Sequence, residues 1–367
     1  MPDRTICMHS VFATFAVGGP QRRFAALANH FGARYRHIVT AIDGRYDADA
    51  LLQPGLDWRR QEFPEARQGL RRSYIAARRV LRELRPDVLV TNNWGSIEWA
   101  AANRPKVVRH IHIEDGFGPD EAAGQLPRRI LFRRFALGGR SVVVLPSQTL
   151  MGIARDIWRL PERKLRYVPN GIACARFDRP ADPDLAASLA GCGPVIGTVA
   201  ALRREKAIDR LIRAFAAVRE HRPCVLAIVG EGQERPMLEA LVRTLGIGDD
   251  VVFVGHLAAP ERILGAFDVF AMSSDTEQMP LTLLEAMAAG RPAACTDVGD
   301  IKAMLAPENR DFVVAKDNGA LAAALARLLD APEAARAIGA ANRARARSVY
   351  DDSLMFAAYD RLFSGAV

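Results

Sequence analysis

Long hydrophobic runs are missing from this sequence of 367 residues. No stretch approaches the ~18 consecutive apolar residues of a membrane-spanning helix, so we expect no such helix. The opening residues, MPDRTICMHS, are typical of a first strand and not of a signal peptide. Cysteine is scarce too, since the five cysteines are odd in number, scattered and without metal-site spacing. They are typical of reduced thiols, and these features together predict a cytoplasmic protein.

Lysine provides only five of the 50 basic residues, and charge is unevenly distributed along the chain. Residues 1–180 contain 30 Lys and Arg against 17 Asp and Glu, a net charge of +13. Residues 181–367 contain 20 against 25, a net charge of −5. The length exceeds one ordinary hydrophobic core, and 50% hydrophobic residues are ample for two. We therefore expect two domains of different charge.

Short apolar runs alternate with helical stretches along the chain, as they do in a doubly wound parallel sheet. In the first half, strands are expected at 5–11, 37–41, 88–91, 106–113 and 141–145, and a helix at about 21–30. Gly18 and Gly19 lie between the first strand and that helix, where paired glycines permit close backbone approach to a ligand. Residues 1–180 are thus predicted to form one α/β domain.

Proline, alanine and aspartate crowd the residues around 181–194, which predicts an interdomain linker there. A second domain is expected at about 195–345, with a first strand at 195–199, helices at 209–221 and 235–245, and an arginine-rich helix at 332–348. The last segment, about 349–367, is predicted to be a helix. One face of this helix carries apolar side chains, namely Met355, Phe356, Tyr359, Leu362 and Phe363.

The most informative stretch is SSDTEQMPLTLLEAMAAGRPAACTDVG, residues 273–299. It follows a strand at 268–273 and reads as a turn, a helix at 280–289 with Pro280 as its first residue, and a strand at 292–296. Ligands of parallel sheets collect at the carboxyl ends of strands, beside helix N-termini that favour anions. Glu277 and Glu285 both fall near that end. Taken alone, two glutamates at this spacing are more often an ordinary loop acid and a helix-surface acid.

The segment EQMPLTLLEAMAAGRP resembles the E-x7-E signature of retaining GT-B glycosyltransferases of glycosyltransferase family 4. Residues 147–177, which include a PNG turn, and residues 196–212 and 225–257 are similar to the same family in order and spacing. The resemblance covers nearly the whole chain. It implies a GT-B α/β fold, in which two Rossmann-like doubly wound domains face a central cleft and a C-terminal helix crosses back to the first domain. The first domain would bind the acceptor and the second the nucleotide-sugar donor.

The resemblance also implies which residues meet the diphosphate. A nucleoside diphosphate is already a weak base, so its departure needs charge stabilisation and no proton. Lys206 matches the lysine of the family's EKG turn, while the family's arginine falls on Ala201. Arg203 or Arg204 is expected to supply the missing charge, and Arg203 is the preferred candidate. Donor-phosphate contacts are further expected from the N-domain loop of Gly18 and Gly19 and from backbone N–H groups around three residues of the motif, Met279, Pro280 and Leu281, although Pro280 has no N–H of its own.

The two glutamates receive separate roles from the resemblance. Glu285 would hold the ribose hydroxyls. Glu277 would lie beside the transferred sugar, where it contacts sugar hydroxyls or stabilises oxocarbenium character. Retention of anomeric configuration is implied by family membership, whereas the choice between same-face attack and a covalent intermediate stays open.

The acceptor side is expected at RHIHIEDGFG, residues 109–118. His110 and His112 point to the same face of a strand. His112 matches a functional histidine of the family and is predicted to be catalytic, with Glu114 and Asp115 nearby. Asp115 stands where the family often has a second histidine, which puts the role of that position in doubt. Alternate histidines with nearby acids also suit a metal site or a satisfied buried network.

The basic half contains PRRILFRRFALGGR, residues 127–140, in which arginines interleave with apolar side chains. This pattern suits an anionic membrane surface, and it equally suits a solvated helix face in an arginine-rich protein. No nucleic-acid-binding motif accompanies the charge. The resemblance implies a UDP- or GDP-linked sugar and a glycan or lipid-linked acceptor as partners. The basic segment adds the inner face of a membrane as a further expected partner, and no nucleic acid is expected.

Other motifs point to weaker alternatives. Asp47-Ala48-Asp49 has the D-x-D form of metal-dependent GT-A transferases but lies in a polar turn, where it is predicted to cap a helix. We expect neither a catalytic metal nor another cofactor. Gly230-Glu231-Gly232 lacks the third glycine of a dinucleotide fingerprint. The main prediction is a retaining glycosyltransferase of cell-surface polysaccharide, lipopolysaccharide or glycolipid synthesis. The alternatives are a hydrolase that uses the two glutamates, a nucleotide-sugar epimerase and a non-catalytic nucleotide-sugar-binding module.

Overall fold

The computed structural model describes residues 5–65, 69–121, 124–189, 191 and 193–365. Its contacts divide the chain into two compact units, Met1–Pro169 with Phe356–Val367, and Asn170–Met355. Each unit is built on a parallel β-sheet. Of the helices in the described residues, none is both long and apolar enough to span a membrane.

The first unit has seven strands in the described residues, in the spatial order β3-β2-β1-β4-β5-β6-β7, all parallel. The strands are β1 Ile6–Phe12, β2 Tyr35–Ala41, β3 Trp58–Arg60, β4 Val88–Asn92, β5 Arg109–Ile113, β6 Ser141–Leu145 and β7 Leu165–Tyr167. The helices are α1 Gly19–Phe31, α2 Leu70–Leu84, α3 Ile97–Ala102, α4 Pro127–Leu137 and α5 Gln148–Gly152. The strand order reverses between β1 and β4, which is where doubly wound sheets bind their ligands.

The second unit repeats this plan with six strands in the described residues, in the order β10-β9-β8-β11-β12-β13. The strands are β8 Val195–Val199, β9 Val225–Val229, β10 Val251–Gly255, β11 Val269–Met272, β12 Ala293–Thr296 and β13 Val313–Val314. The helices are α6 Pro183–Ser188, α7 Ile208–Arg219, α8 Arg235–Thr244, α9 Glu261–Leu264, α10 Leu281–Ala288, α11 Ile301–Met304, α12 Asn318–Asp330 and α13 Pro332–Val349. Here the order reverses between β8 and β11, which pair directly.

The last helix, α14 Asp352–Ser364, returns the chain to the first unit. Its predicted apolar face is confirmed, because Tyr359, Leu362 and Phe363 are buried. Phe356 stacks on His30 of α1 with ring centroids 3.9 Å apart. Arg109 at the start of β5 donates a hydrogen bond to the carbonyl of Phe363 (2.9 Å). The crossing C-terminal helix therefore completes the core of the first unit.

The structure differs from the predicted domain boundaries. The first unit ends at Pro169 and not at residue 180. The boundary falls inside the PNG turn, whose Asn170 belongs to the second unit and donates from Nδ2 to the carbonyl of Met279 (3.2 Å). The expected linker, 181–194, contains α6, and Asp182 both caps that helix and pairs with Arg262. Cys192, within that stretch, lies outside the described residues.

A second difference concerns Asp47 and Asp49, which do not cap a helix. The short 3-10 helix Asp47–Leu51 follows Tyr46 and has no side-chain cap. Asp47 instead pairs with Arg45 (3.0 Å), and Asp49 pairs with Arg60. The two carboxylates are therefore neutralised by neighbouring arginines at the surface.

Candidate functional site

The candidate donor site lies at the strand-order reversal of the second unit. The loop after β8 and the loop after β11 both begin there, at the carboxyl ends of adjacent parallel strands. The first loop carries Arg203 and Lys206, and the second carries Glu277 and Met279. Four residues predicted to serve the donor or the transferred sugar thus come from two neighbouring loops.

Glycines shape this edge of the sheet. A Cβ on Gly230 would lie 1.8 Å from the carbonyl oxygen of Ala200, and one on Gly232 would lie 2.2 Å from that of Leu202. These glycines therefore let the loop after β9 rest directly on the loop after β8, where Leu202 N–H donates to the carbonyl of Glu231 (2.9 Å). Their role in this fold is close backbone packing.

The two loops of the candidate donor site are tied together by hydrogen bonds. Asp275 N–H donates to the carbonyl of Glu205 (2.8 Å), and Ser273 Oγ donates to that of Lys206 (3.0 Å). Arg210 in α7 donates to the carbonyl of Ser273 (2.6 Å) and pairs with Asp275 (2.7 Å). The sequence prediction missed Arg210, because a lone arginine on a helix gives no signal of contact with a loop 63 residues away.

Glu277 is held at one of its two carboxylate oxygens. Lys206 Nζ pairs with Oε1 at 2.5 Å, and Ser274 Oγ donates to the same atom at 2.8 Å. Within the described residues, Oε2 has no hydrogen-bond partner. The Glu277 side chain is 10% exposed and that of Lys206 is 25% exposed. An ammonium has three donors, so Lys206 keeps hydrogen-bonding capacity beyond this ion pair.

The backbone under Glu277 is also fixed. A Cβ on Gly299, whose φ is +55°, would lie 2.2 Å from the carbonyl oxygen of Glu277. Thr296 Oγ1 donates to the carbonyl of Ser274 (2.6 Å), and Asp300 N–H donates to that of Gln278 (3.1 Å). The loop between β11 and α10 is therefore braced by the end of β12 and by the segment that follows it.

Helix α10 begins at Leu281, one residue later than predicted. Pro280 occupies the N-cap position, because its backbone is extended, with a ψ of 124°. Its side chain makes no capping hydrogen bond. The N–H groups of the first helical turn have no partner inside a helix, which leaves this end suited to an anion. Met279 is buried. Glu285 is half-buried in the second turn of α10. The eight positions from Glu277 to Glu285 therefore include the end of the loop and the first turn of the helix.

Ala201 and Ala207 stand where the family has an arginine and a glycine. The charge of that arginine was expected from Arg203 or Arg204. Arg203 has a side chain 67% exposed and lies 4.0 Å from Glu205, so its guanidinium is loosely held at the surface. Arg204, beside it, is exposed as well. Arg203 and Arg204 line a surface pocket of about 260 Å³ with Arg210 and Asp275. Ala207, where the family has glycine, adopts the left-handed conformation with φ 45° and ψ 46°.

In the first unit, Gly18 and Gly19 lead from the loop after β1 into α1. Gly18 is the N-cap with extended φ −163° and ψ 178°, a conformation open to any residue. A Cβ on Gly18 would lie 2.8 Å from Gln21 Oε1, whereas one on Gly19 would meet nothing within 4 Å. Backbone conformation therefore does not require a glycine at either position, and the surface above Gly19 is open.

His112 is part of a buried hydrogen-bond chain in the first unit. Its Nδ1 lies 2.8 Å from Thr91 Oγ1, which also contacts His110 Nε2 at 2.8 Å, and His110 Nδ1 lies 2.7 Å from Ser141 Oγ. His112 Nε2 lies 3.4 Å from Glu114 Oε2. The side chains of His112 and Glu114 have no exposed surface. Both ring nitrogens of His110 and His112 thus have partners in a buried network, whereas Glu114 Oε1 has no hydrogen-bond partner in the described residues.

A buried arginine continues the network. Arg133 in α4 lies 3.6 Å from Glu114 and makes two hydrogen bonds to Glu121, at 2.8 and 3.0 Å. Its guanidinium also lies 4.9 Å from the ring centroids of Trp94 and Trp158. Burial is the largest single influence on Glu121 and raises the pKa of its carboxyl, but the hydrogen bonds and charge of Arg133, with hydrogen bonds from Arg129 and the Leu126 N–H, together lower that pKa below its usual value. Thus one arginine of the basic 127–140 segment serves the protein interior and not its surface.

Asp115 makes an ion pair inside the first unit. Arg23 of α1 binds it through both guanidinium nitrogens, one of them at 2.8 Å. The Asp115 N–H donates to Asn93 Oδ1 (2.6 Å) in the loop after β4. Burial raises the pKa of the neighbouring Tyr359 of α14 to about 12. Asp115 therefore joins the loop after β5 to the helix that follows Gly18 and Gly19.

Comparison with known proteins identifies the family. The chain matches the model for Glycosyltransferase Family 4 over residues 17–176 and the model for glycosyl transferases group 1 over residues 193–331. It is similar to the lipopolysaccharide core biosynthesis glycosyltransferase LpsD of Rhizobium meliloti, with 29% identity over 98% of each chain. It is also 30% identical to an exopolysaccharide phosphotransferase of Streptomyces coelicolor over 70% of this chain, a match that spans only 26% of that relative.

Among solved structures, the fold is similar to HepE of Anabaena in complex with UDP. The TM-score is 0.81 at 17% identity, and the match covers 98% of this chain and 100% of that one. The structure has two parallel sheets and a helix that returns to the first unit. Each sheet lies in a part of the chain that one of the two family models matches, so the fold and the family comparison agree. The chain is a GT-B glycosyltransferase of glycosyltransferase family 4.

Proposed function

We propose that the protein transfers a sugar, with retention of configuration, from a nucleoside-diphosphate sugar to an acceptor hydroxyl. The observation that carries this proposal is the Lys206–Glu277 ion pair beside the start of α10. A cation and a helix N-terminus suit a diphosphate, and a carboxylate with one unoccupied oxygen suits a sugar. These features occupy one edge of one sheet.

The charge on the leaving nucleotide grows as the glycosidic bond breaks. Lys206 would stabilise that charge with the donors that Glu277 does not use, and the first N–H groups of α10 would bind phosphate oxygens. Arg203 would swing from the surface to complete the cation set. We propose that these groups supply the positive charge and that no metal ion takes part.

Glu277 would act on the sugar and Glu285 on the nucleoside. The free oxygen of Glu277 would accept a sugar hydroxyl or face the positive charge that develops at the anomeric carbon, while Ser274 and Lys206 fix the carboxylate. Glu285, about one turn further along α10, would accept hydrogen bonds from the ribose. Of the candidate residues of the first unit, Gly18 and Gly19 would serve the donor phosphates and Asp115 the acceptor. His112 and Glu114, whose side chains have no exposed surface, would act by holding the loop after β5 in place.

The acceptor is proposed to be a glycan or lipid-linked glycan of the cell surface. Relatives named for lipopolysaccharide and exopolysaccharide synthesis support this class. Helix α4 exposes Leu131 and Phe135 (64% and 54% exposed) beside basic residues. This surface suits peripheral contact with an anionic inner membrane.

Calorimetry with UDP and GDP, followed by acceptor-dependent release of nucleotide, tests the proposal. We expect one nucleotide to bind, Lys206→Ala to weaken both binding and turnover, and EDTA to leave turnover unchanged. Absence of binding by either nucleotide would overturn the transferase proposal. Hydrolysis of a glycoside without nucleotide would indicate a hydrolase, turnover of donor without acceptor an epimerase, and binding without turnover a binding module.

A further inference from the structure

A second pocket lies at the opposite edge of the first unit's sheet from the candidate site. It has a volume of about 360 Å³ and is formed around the amino ends of β5 and β6, where His110 and Ser141 lie. Ligands of this fold bind at the carboxyl ends of the strands, so this pocket is separate from the donor and acceptor sites. Its charged lining residues are Arg104, Lys106 and Arg140.

The charge of this pocket is uncompensated. Within the described residues, no carboxylate lines it, and neither Lys106 nor Arg140 has a hydrogen-bond or ion-pair partner. Exposed arginines elsewhere in the first unit do have partners: Arg36 pairs with Asp57 (2.7 Å) and Arg79 with Glu65 (2.8 Å). The pocket therefore concentrates positive charge that no neighbouring acid offsets.

Arg104 is held in place for binding. Its guanidinium donates to the carbonyl of Phe135 and lies 4.7 Å from the centre of that ring. A Cβ on Gly139 would lie 3.6 Å from Arg104 Nε, so the side chain runs along the glycine turn after α4. Fixing the guanidinium in advance lowers the entropic cost of binding an anion.

A fourth cation, Lys164, offsets the carbonyl groups at the end of α4, next to the pocket. Lys164 is buried and donates to the carbonyls of Leu137, Gly138 and Gly139 at the end of α4. Burial lowers the pKa of Lys164, and the charges of Arg163 and Arg104 lower it further. The ammonium thus compensates the partial negative charge at the end of α4. The charges of Arg104, Lys106 and Arg140 are therefore not needed there and can attract an anion from solution.

We propose that this pocket binds a phosphate group. A phosphate presents several charged oxygens to cations that approach from different sides, and an arginine guanidinium matches its geometry. The group has two chemical sources, a soluble phosphate or the headgroup of an anionic lipid. The exposed Phe135 ring under Arg104 makes the lipid a source to be tested.

The test titrates inorganic phosphate into protein carrying Lys206→Ala, so that the candidate donor site does not contribute. Lys106→Gln with Arg140→Gln removes two exposed, unpartnered charges and should weaken phosphate binding about tenfold or more, with an unchanged thermal midpoint. The matched control is Arg71→Gln with Arg72→Gln, which removes two exposed charges of α2 in the same unit and should leave binding unchanged. No phosphate binding, or equal loss in both variants, overturns the proposal.

A second arm separates the sources with vesicles of phosphatidylglycerol and phosphatidylcholine. If a lipid supplies the phosphate, the Lys106 and Arg140 variant should lose sedimentation with anionic vesicles while the Arg71 and Arg72 control keeps it. If that variant loses phosphate binding but still sediments like the parent protein, the ligand is a soluble phosphate. The proposal fails if the variant keeps both properties.

Discussion

The two carboxylate oxygens of Glu277 have different surroundings. Lys206 and Ser274 both bind Oε1, which leaves Oε2 without a partner in the described residues. Burial raises the pKa of the nearby Cys295 thiol, and the Glu277 charge adds to that effect, so the thiol stays protonated at neutral pH. The residue is therefore fixed in orientation yet open on one side.

Replacing Glu277 with Gln tests its charge without changing its shape. We expect turnover to fall about 100-fold or more, because stabilisation of developing charge is lost, while nucleotide affinity changes little. Steady-state kinetics at saturating donor and calorimetry measure the two quantities. Asp275→Asn, in the same loop, is the control and should reduce turnover far less. Near-normal turnover of the Glu277 variant would remove Glu277 from the reaction.

Ala207 is strained, since a left-handed conformation costs an L-residue with a Cβ about 1–2 kcal/mol. Ala207→Gly relieves that strain but adds flexibility to the unfolded chain, so we expect a net gain of about 0.5 kcal/mol in unfolding free energy. Ala217→Gly, at an exposed position inside α7, should instead cost about 1 kcal/mol. Urea unfolding of both variants measures the difference, and equal destabilisation by the two would contradict the strain argument.

At the scale of elements, the candidate donor site depends on α7 as much as on its own loops. Arg210 of that helix donates hydrogen bonds to both Ser273 and Asp275. Arg210→Ala should lower stability by about 1–2 kcal/mol and weaken nucleotide binding, although Arg210 itself is not assigned to the nucleotide. Arg336→Ala breaks an exposed pair with Glu333 and should have almost no effect. Unchanged nucleotide affinity for the Arg210 variant would show that the loops hold their geometry without it.

Sequence patterns predicted the elements that carry strong local signals. The apolar runs of β4 and β6 and the strand-helix-strand unit around α10 were found with small errors at their ends. Short edge strands were missed, because β3 and β7 have three residues each and are mostly polar. Helix α6 was missed because its proline and aspartate, which suggested a linker, serve as its first residue and its cap.

The same limit applies to the candidate site. Lys206, Glu277 and Glu285 could be proposed from the sequence because their motifs are local. The pairing of Arg23 with Asp115 joins residues 92 positions apart, and burial of Glu114 depends on Arg133 from another element. No spacing in the sequence encodes such contacts.

At the scale of the whole molecule, buried histidines make stability depend on pH. Burial lowers the pKa of His9 to about 3 and that of His37 to about 4; burial and the charge of His112 lower that of His110 to about 3. These rings stay neutral in the folded protein, whereas unfolded histidine takes up a proton near pH 6.5. Their contribution to stability is therefore complete above about pH 6.5 and is lost as pH falls toward these lower values.

Unfolding free energy should thus fall by up to about 2 kcal/mol per histidine between pH 7 and pH 5. Urea unfolding at several pH values measures the slope. His37 is the informative site, because neither ring nitrogen has a partner in the described residues. His37→Leu should reduce the slope of unfolding free energy against pH, because one fewer proton is taken up on unfolding. A wild-type slope near zero would contradict the assignment of neutral buried rings.

The returning helix α14 also fixes the order in which the chain can mature during synthesis. Residues 170–355 contain every strand of the second sheet and leave the ribosome as one continuous stretch. Most of the first unit is translated earlier, yet it lacks Tyr359, Leu362 and Phe363 until α14 emerges. The first unit is thus started first and completed last. The apolar surface that α14 covers must stay protected from aggregation while the second unit is translated.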